Sequence, residues 1–109
     1  SSAASDVYKR QIDIDTDGEY VTMKAINGAK LYYTVAGASE KSMTQLEEPT
    51  FNSEHLEPRQ KVVFSCYDFN KNANRGGLYL KVHAYKNGKL IAISYESHYM
   101  IHMIPGFYY

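Results

Sequence analysis

An antiparallel all-β sandwich of about seven strands is the fold this sequence predicts, and three observations carry the prediction. The dipeptides Asp17-Gly18, Asn27-Gly28 and Asn87-Gly88 recur along the chain. Such pairs favour two-residue hairpins, because the central positions of those turns need positive φ. The runs between them are rich in Val, Ile, Tyr, Phe and Thr, which suit a pleated, half-buried surface. Apolar and polar residues alternate within the runs, the period of a strand with one face in a core.

Taken in order, strands are expected at 11–15, 19–26, 29–35, 61–69, 78–86, 89–95 and 98–104. In the second, Val21, Met23 and Ala25 fall on one side and Tyr20, Thr22 and Lys24 on the other. In the third, Leu31, Tyr33 and Val35 oppose Tyr32 and Thr34. The run 61–69 is apolar on both sides, which suits a central strand or one covered by a loop. That loop is 36–60, broken by Gly37, Pro49, Asn52 and Pro58, with room for a helical turn or two at 40–48. Gly76-Gly77 reads as a further turn. In 78–86, Leu78, Leu80, Val82 and Ala84 face inward, and Tyr79, Lys81, His83 and Tyr85 face away.

Composition narrows the function classes. The 109 residues carry 12 Lys+Arg against 12 Asp+Glu, a formal net charge of zero, which excludes a polybasic nucleic-acid arm or an acidic tail as the main business of the chain. No apolar run approaches the roughly 20 residues of a membrane-spanning helix. The single cysteine, Cys66, excludes an internal disulfide framework. Residues 1–11, SSAASDVYKRQ, have no apolar periodicity and resemble the translated read-through of a sequencing adapter, of the kind found at the ends of proteins from shotgun assemblies. The expected organisation is a disordered or artefactual leader at 1–11, a sandwich at 12–104 and a tail at 105–109, with the native N-terminus lying further upstream.

Several constellations bear on chemistry. Asp13, Asp15, Asp17 and Gly18 open a calcium-loop pattern, but its bidentate twelfth position is Lys24, a cation. The reading that follows is a solvated strand and turn, with a weak cation site at the three aspartates as the alternative. His98 and His102 on a strand stand about 13 Å apart, too far to share one metal. Cys66 lacks a neighbour that would lower its pKa and reads as a buried, inert thiol. Ser65 sits in no nucleophile-elbow motif. Asp and Glu are too scattered to nominate an acid–base pair, and no glycine-rich loop follows a strand. No catalytic residue, metal or cofactor is assigned, and enzyme activity is not expected.

The candidate ligand-binding residues are the outward stripe Tyr79, Lys81, His83 and Tyr85, with Tyr32 on a neighbouring strand. Tyrosine on a flat face can stack on sugar rings or anchor a protein. The alternatives are cross-strand pairs that only stabilise the sheet, or packing against another domain.

The segment Lys30-Leu-Tyr-Tyr-Thr-Val-Ala-Gly37, with Lys81-Val-His-Ala-Tyr-Lys-Asn-Gly-Lys89 and Ser94, resembles the accessory β-sandwich at the C-terminus of chitobiase and hexosaminidase enzymes and the related fibronectin-type-III-associated domains. The likeness covers roughly 21–104. It departs where Val35-Ala36 replaces an expected Asp, and where 36–77 is long. It implies an immunoglobulin-like, non-catalytic module of a larger extracytoplasmic or secreted, carbohydrate-active protein. The expected partners are a neighbouring domain of the parent protein or a glycan or protein ligand, and neither nucleic acid nor a membrane. Assembly of copies into an extracellular fibre or adhesin through a Tyr-rich edge stays open. A second stretch, Val62 to Asn70 preceded by Thr50-Phe-Asn52, is similar to synaptotagmin-type phospholipid-binding sandwiches. Asp68 matches one calcium ligand there, but its partner is Asn70, so that likeness implies a membrane module without a full calcium site.

Overall fold

Two antiparallel sheets meet across one apolar core in the computed structural model, which describes residues 10–69 and 75–101. The elements are β1 (Ile12–Asp17), β2 (Tyr20–Ala25), β3 (Lys30–Gly37), β4 (Glu54–Leu56), β5 (Lys61–Ser65), α1 (Cys66–Phe69), β6 (Arg75–Lys86) and β7 (Lys89–Ile101). The first sheet has the order β1-β2-β5 and the second β4-β3-β6-β7. The expected all-β sandwich of seven strands is therefore present.

Alternation sets the core. Val21, Met23 and Ala25 of β2 are buried and face Leu78, Leu80, Val82 and Ala84 of β6, none more than 1% exposed. Leu31 and Tyr33 of β3, Leu56 of β4 and Phe64 of β5 complete the layer, with Ile12 and Ile14 packed at its edge. Each buried aliphatic side chain contributes about 1.5–3 kcal/mol. A one-residue slip of β6 would turn its whole inner row to water, so its register against β3, with Leu31 opposite Ala84 and Tyr33 opposite Val82, is strongly specified.

Several expectations change. The run 61–69 is not one strand. Ser65 ends β5, and its hydroxyl donates to Glu19 Oε2 (2.8 Å) and accepts from the Tyr67 amide (3.3 Å), capping the single turn of α1. Nor is β5 central; it is an edge of the first sheet, with Val63 52% exposed on its outer side. Residues 40–48 form turns rather than helix, and β4, three residues long, is too short to show a period. Gly76-Gly77 lies inside β6 instead of making a turn, with Gly77 opposite Tyr99. A Cβ on Gly77 would collide with the His98 carbonyl, so glycine permits the close approach of β7 there. The strands expected at 89–95 and 98–104 are one, Lys89–Ile101, unbroken through Ser97 opposite Tyr79. Residues 102–104, the tail at 105–109 and residues 1–9 of the leader lie outside the described residues. Of the leader, Gln11 is engaged: its carbonyl accepts from the Ile26 amide at 3.1 Å.

Turn chemistry holds locally. Asn87-Gly88, at φ 53° and 75°, joins β6 to β7 as a tight hairpin. In the β1–β2 hairpin Asp17 pairs with Tyr20, so Gly18-Glu19 are the loop residues and Gly18 takes the positive φ. Asn27-Gly28 has both φ values positive, 56° and 78°, yet it is no hairpin: β2 belongs to the first sheet and β3 to the second. The end of β2 is held instead by the turn before β5, where the Ala25 amide donates to Gln60 O and the Arg59 amide donates to Ala25 O, both at 3.0 Å.

Candidate functional site

The outer face of the second sheet gathers the candidate residues. Pairing of β3 with β6 sets Tyr32 opposite His83 and Thr34 opposite Lys81. Pairing of β6 with β7 adds Ile93 beside His83 and Tyr95 beside Lys81. A loop then crosses this face as a strap. Leu46 is buried at 5% exposure, and the Thr34 hydroxyl donates to Glu47 O at 2.5 Å.

The stripe of β6 divides into three environments. In the middle, the strap clamps Lys81 and His83. Lys81 Nζ donates to Leu46 O at 2.7 Å, lies 3.4 Å from Glu48 Oε1 and sits 5.0 Å from the centre of the Tyr95 ring. His83 Nε2 is 2.9 Å from Glu48 Oε2, and the Tyr95 hydroxyl donates to the same carboxylate. The Tyr95 hydrogen bond is the main cause holding the Glu48 carboxyl below its ordinary pKa; desolvation opposes it, while His83 and Lys81 reinforce it. Reciprocally, that hydrogen bond pushes the Tyr95 phenol up. A buried ammonium is costly unless paired, and here the backbone carbonyl and the carboxylate satisfy it.

At the Asn87-Gly88 end, aromatic rings form a cup. Tyr32 and Tyr85 meet edge to face at 5.6 Å, Phe51 of the strap lies 5.3 Å from Tyr32 and 5.1 Å from Tyr85, and His55 of β4 lies 5.7 Å from Tyr32. Lys30 Nζ stands 5.2 Å from the Tyr32 ring centre and 3.3 Å from Glu57 Oε1. A cavity of about 390 Å³ opens here, lined by Lys30, Tyr32, Phe51, Glu57 and Tyr85 with the turn at 86–88. Phe51 is 69% exposed, an aromatic ring held in place by rings and presented to water.

At the opposite end, Tyr79 pairs with Tyr99, hydroxyl to hydroxyl at 2.7 Å with the rings nearly perpendicular. The five sequence-derived residues thus sort into Tyr32 with Tyr85, Lys81 with His83, and Tyr79 apart. They are not one open row, because the strap leaves Lys81 only 6% exposed. Sequence reasoning missed Glu48, Phe51, His55, Tyr95 and Tyr99. A signal existed for two of them. The loop 46–51 carries a carboxylate pair ahead of Pro49 and a lone aromatic, and the stripe it covers contains Lys81 and His83.

The remaining candidates fall elsewhere. Asp13, Asp15 and Asp17 lie along the straight strand β1, opposite Lys24, Thr22 and Tyr20, rather than curling around a point. Among the described residues no group of three His, Cys, Asp or Glu could hold a metal ion. His98 Nε2 meets Gly18 O at 2.8 Å, and His102 lies outside the described residues. Cys66 is fully buried as the first residue of α1, not mid-strand, and burial, ahead of the Glu19 charge, pushes its thiol pKa up. Asp68 is exposed on α1, and Asn70 lies outside the described residues. Comparison of the chain with protein-family models, with curated proteins and with solved structures gives no match.

Proposed function

We propose that this chain is a non-catalytic binding module, an accessory β-sandwich of a larger extracytoplasmic, carbohydrate-active protein, and that the cup at Tyr32, Phe51 and Tyr85 takes a sugar ring. The observation that carries the reading is Phe51: a large apolar ring, mostly exposed, fixed by two aromatic neighbours, Tyr32 and Tyr85, beside a polar-rimmed cavity. The faces of aromatic rings offer apolar area at low entropic cost, and the C–H face of a pyranose is complementary to them. Lys30 and Glu57 supply a donor and an acceptor at the rim for sugar hydroxyls. The chitobiase-type resemblance of β3 and β6 supports the same class of ligand, and the two segments that carry it are neighbouring strands.

A glycan array followed by calorimetry on the purified chain tests the reading. An oligosaccharide should bind, and Phe51→Ala should weaken it at least tenfold, since an aromatic anchor carries on the order of 2 kcal/mol. Thermal unfolding of that variant should stay near wild type, because the ring is largely in water. No retained glycan, or equal binding by Phe51→Ala, would overturn the proposal.

A further inference from the structure

β7 reverses the logic of the other strands. Its outer face carries Leu90, Ile93, Tyr95 and Tyr99, each between 41% and 62% exposed, while Ser94, Glu96 and His98 take the inner side. The inner row of β6 is covered by the first sheet, but β7 reaches past that cover, and Glu96 is exposed although it lies opposite buried Leu80. β7 is also an edge: β6 pairs with one side, and among the described residues no strand pairs with the other. Proteins blunt such edges with short strands, proline or inward charge. The opposite edge of this sheet does so, since β4 has three residues and Pro58 follows close behind. β7 runs 13 residues with no proline; its bulge at Leu90–Ile91 and its two inner-face charges, Lys89 and Glu96, oppose pairing with a strand that offers no countercharge, but the two charges are complementary to each other.

We propose that two copies of this chain pair β7 to β7, antiparallel, about a twofold axis at Ile93. The register follows from charge and pleat. With Ile93 opposite Ile93 of the partner subunit, Ala92 falls opposite Ser94 of the partner subunit on the inner face. Tyr95 falls opposite the Leu90–Ile91 bulge, where β6 already places two residues of β7 against one step. The bulge restores the parity, so Glu96 meets Lys89 of the partner subunit, both on the inner face. One axis thus pairs both charges twice and joins the two apolar outer stripes into one. Moving the axis to Tyr95 would set Glu96 opposite Ser94 of the partner subunit and leave Lys89 without a countercharge. The contact is isologous and closes as a dimer with an eight-stranded sheet; it does not propagate. Zero net charge leaves no overall repulsion between copies.

Sedimentation velocity of the full chain tests this. At about 100 μM the protein should sediment at twice its 12.4 kDa. Glu96→Lys turns two attractions into two repulsions and should weaken the dimer about tenfold or more, and adding Lys89→Glu should restore it. Ile93→Lys, at a side chain exposed in the single copy, should give a folded monomer by circular dichroism. A monomeric wild type, an open series of larger species, a dimer indifferent to Ile93→Lys, or a double charge swap that fails to restore association would each overturn the proposal.

Discussion

The two halves of the second sheet's outer face belong to one continuous sheet and are finished differently. The half over β3 and β6 is roofed by the strap, which inserts Leu46 and clamps Lys81 and His83 through Glu48. The half over β7 is open apart from Tyr95, whose hydroxyl meets the strap at Glu48, and Ile93 and Tyr99 are more than half exposed. The roofed half shows that polar residues on a strand need not mean an open surface: Lys81 is among the least exposed residues of the molecule because a loop supplies its acceptors. The open half shows the converse, apolar residues left in water on a strand that would tolerate polar ones. Core packing does not require that arrangement; the proposed pairing of two copies would cover it.

Variants on either side should separate the halves. The largest effect is expected at Leu46→Ala. Removing the buried anchor of the strap should cost about 2 kcal/mol or more in denaturant unfolding and speed proteolysis within residues 41–53. A loss under about 0.5 kcal/mol, the scale of ordinary surface changes, would mean that the roof rests on its ion pairs alone.

An intermediate effect is expected from acid. The Glu48 carboxyl sits below its ordinary 4.5 in the folded state, so the unfolded chain binds the proton more readily. Its contribution is present above about pH 4.5 and is lost as pH falls through the lower folded value. The gap in Tm between wild type and Glu48→Gln should therefore be open at pH 6 and close below pH 4. A gap independent of pH would remove the carboxylate charge from the account of the clamp.

The smallest effect belongs to the open half. Ile93→Thr and Tyr99→Phe, measured at dilutions where a dimer would dissociate, should each stay within about 0.5 kcal/mol of wild type. A larger loss at Ile93 would make its side chain part of the monomer's own fold and blur the contrast between the halves.

Much of the fold was legible in the sequence, and the reason is visible in particular residues. Alternation in β2 and β6 identified Val21, Met23, Leu80 and Val82 as core, because a period of two leaves no other way to bury one face. The site was legible only in part. Tyr32 and Tyr85 were named from their side of the strand, but Phe51 comes from a loop with no period, and Glu48 reaches Lys81 across 33 positions of chain. The end of β5 was misread because Cys66, Tyr67 and Phe69 have strand composition, while the decision lay with Ser65 and its long-range partner Glu19.

By itself the sequence determined the strand-and-turn texture, the inner face of most strands, and the positive φ values at Asn27-Gly28 and Asn87-Gly88. These are local properties, set by steric limits on φ and by the spacing of apolar side chains. Only the tertiary structure decided which sheet each strand joins, that Asn27-Gly28 carries the chain between sheets while Asn87-Gly88 closes a hairpin, and that a strap buries Lys81. A turn's dihedral angles fix the direction of a few residues, whereas partner choice depends on which apolar faces can meet across the whole core and on which distant carbonyls and carboxylates can satisfy a buried ammonium.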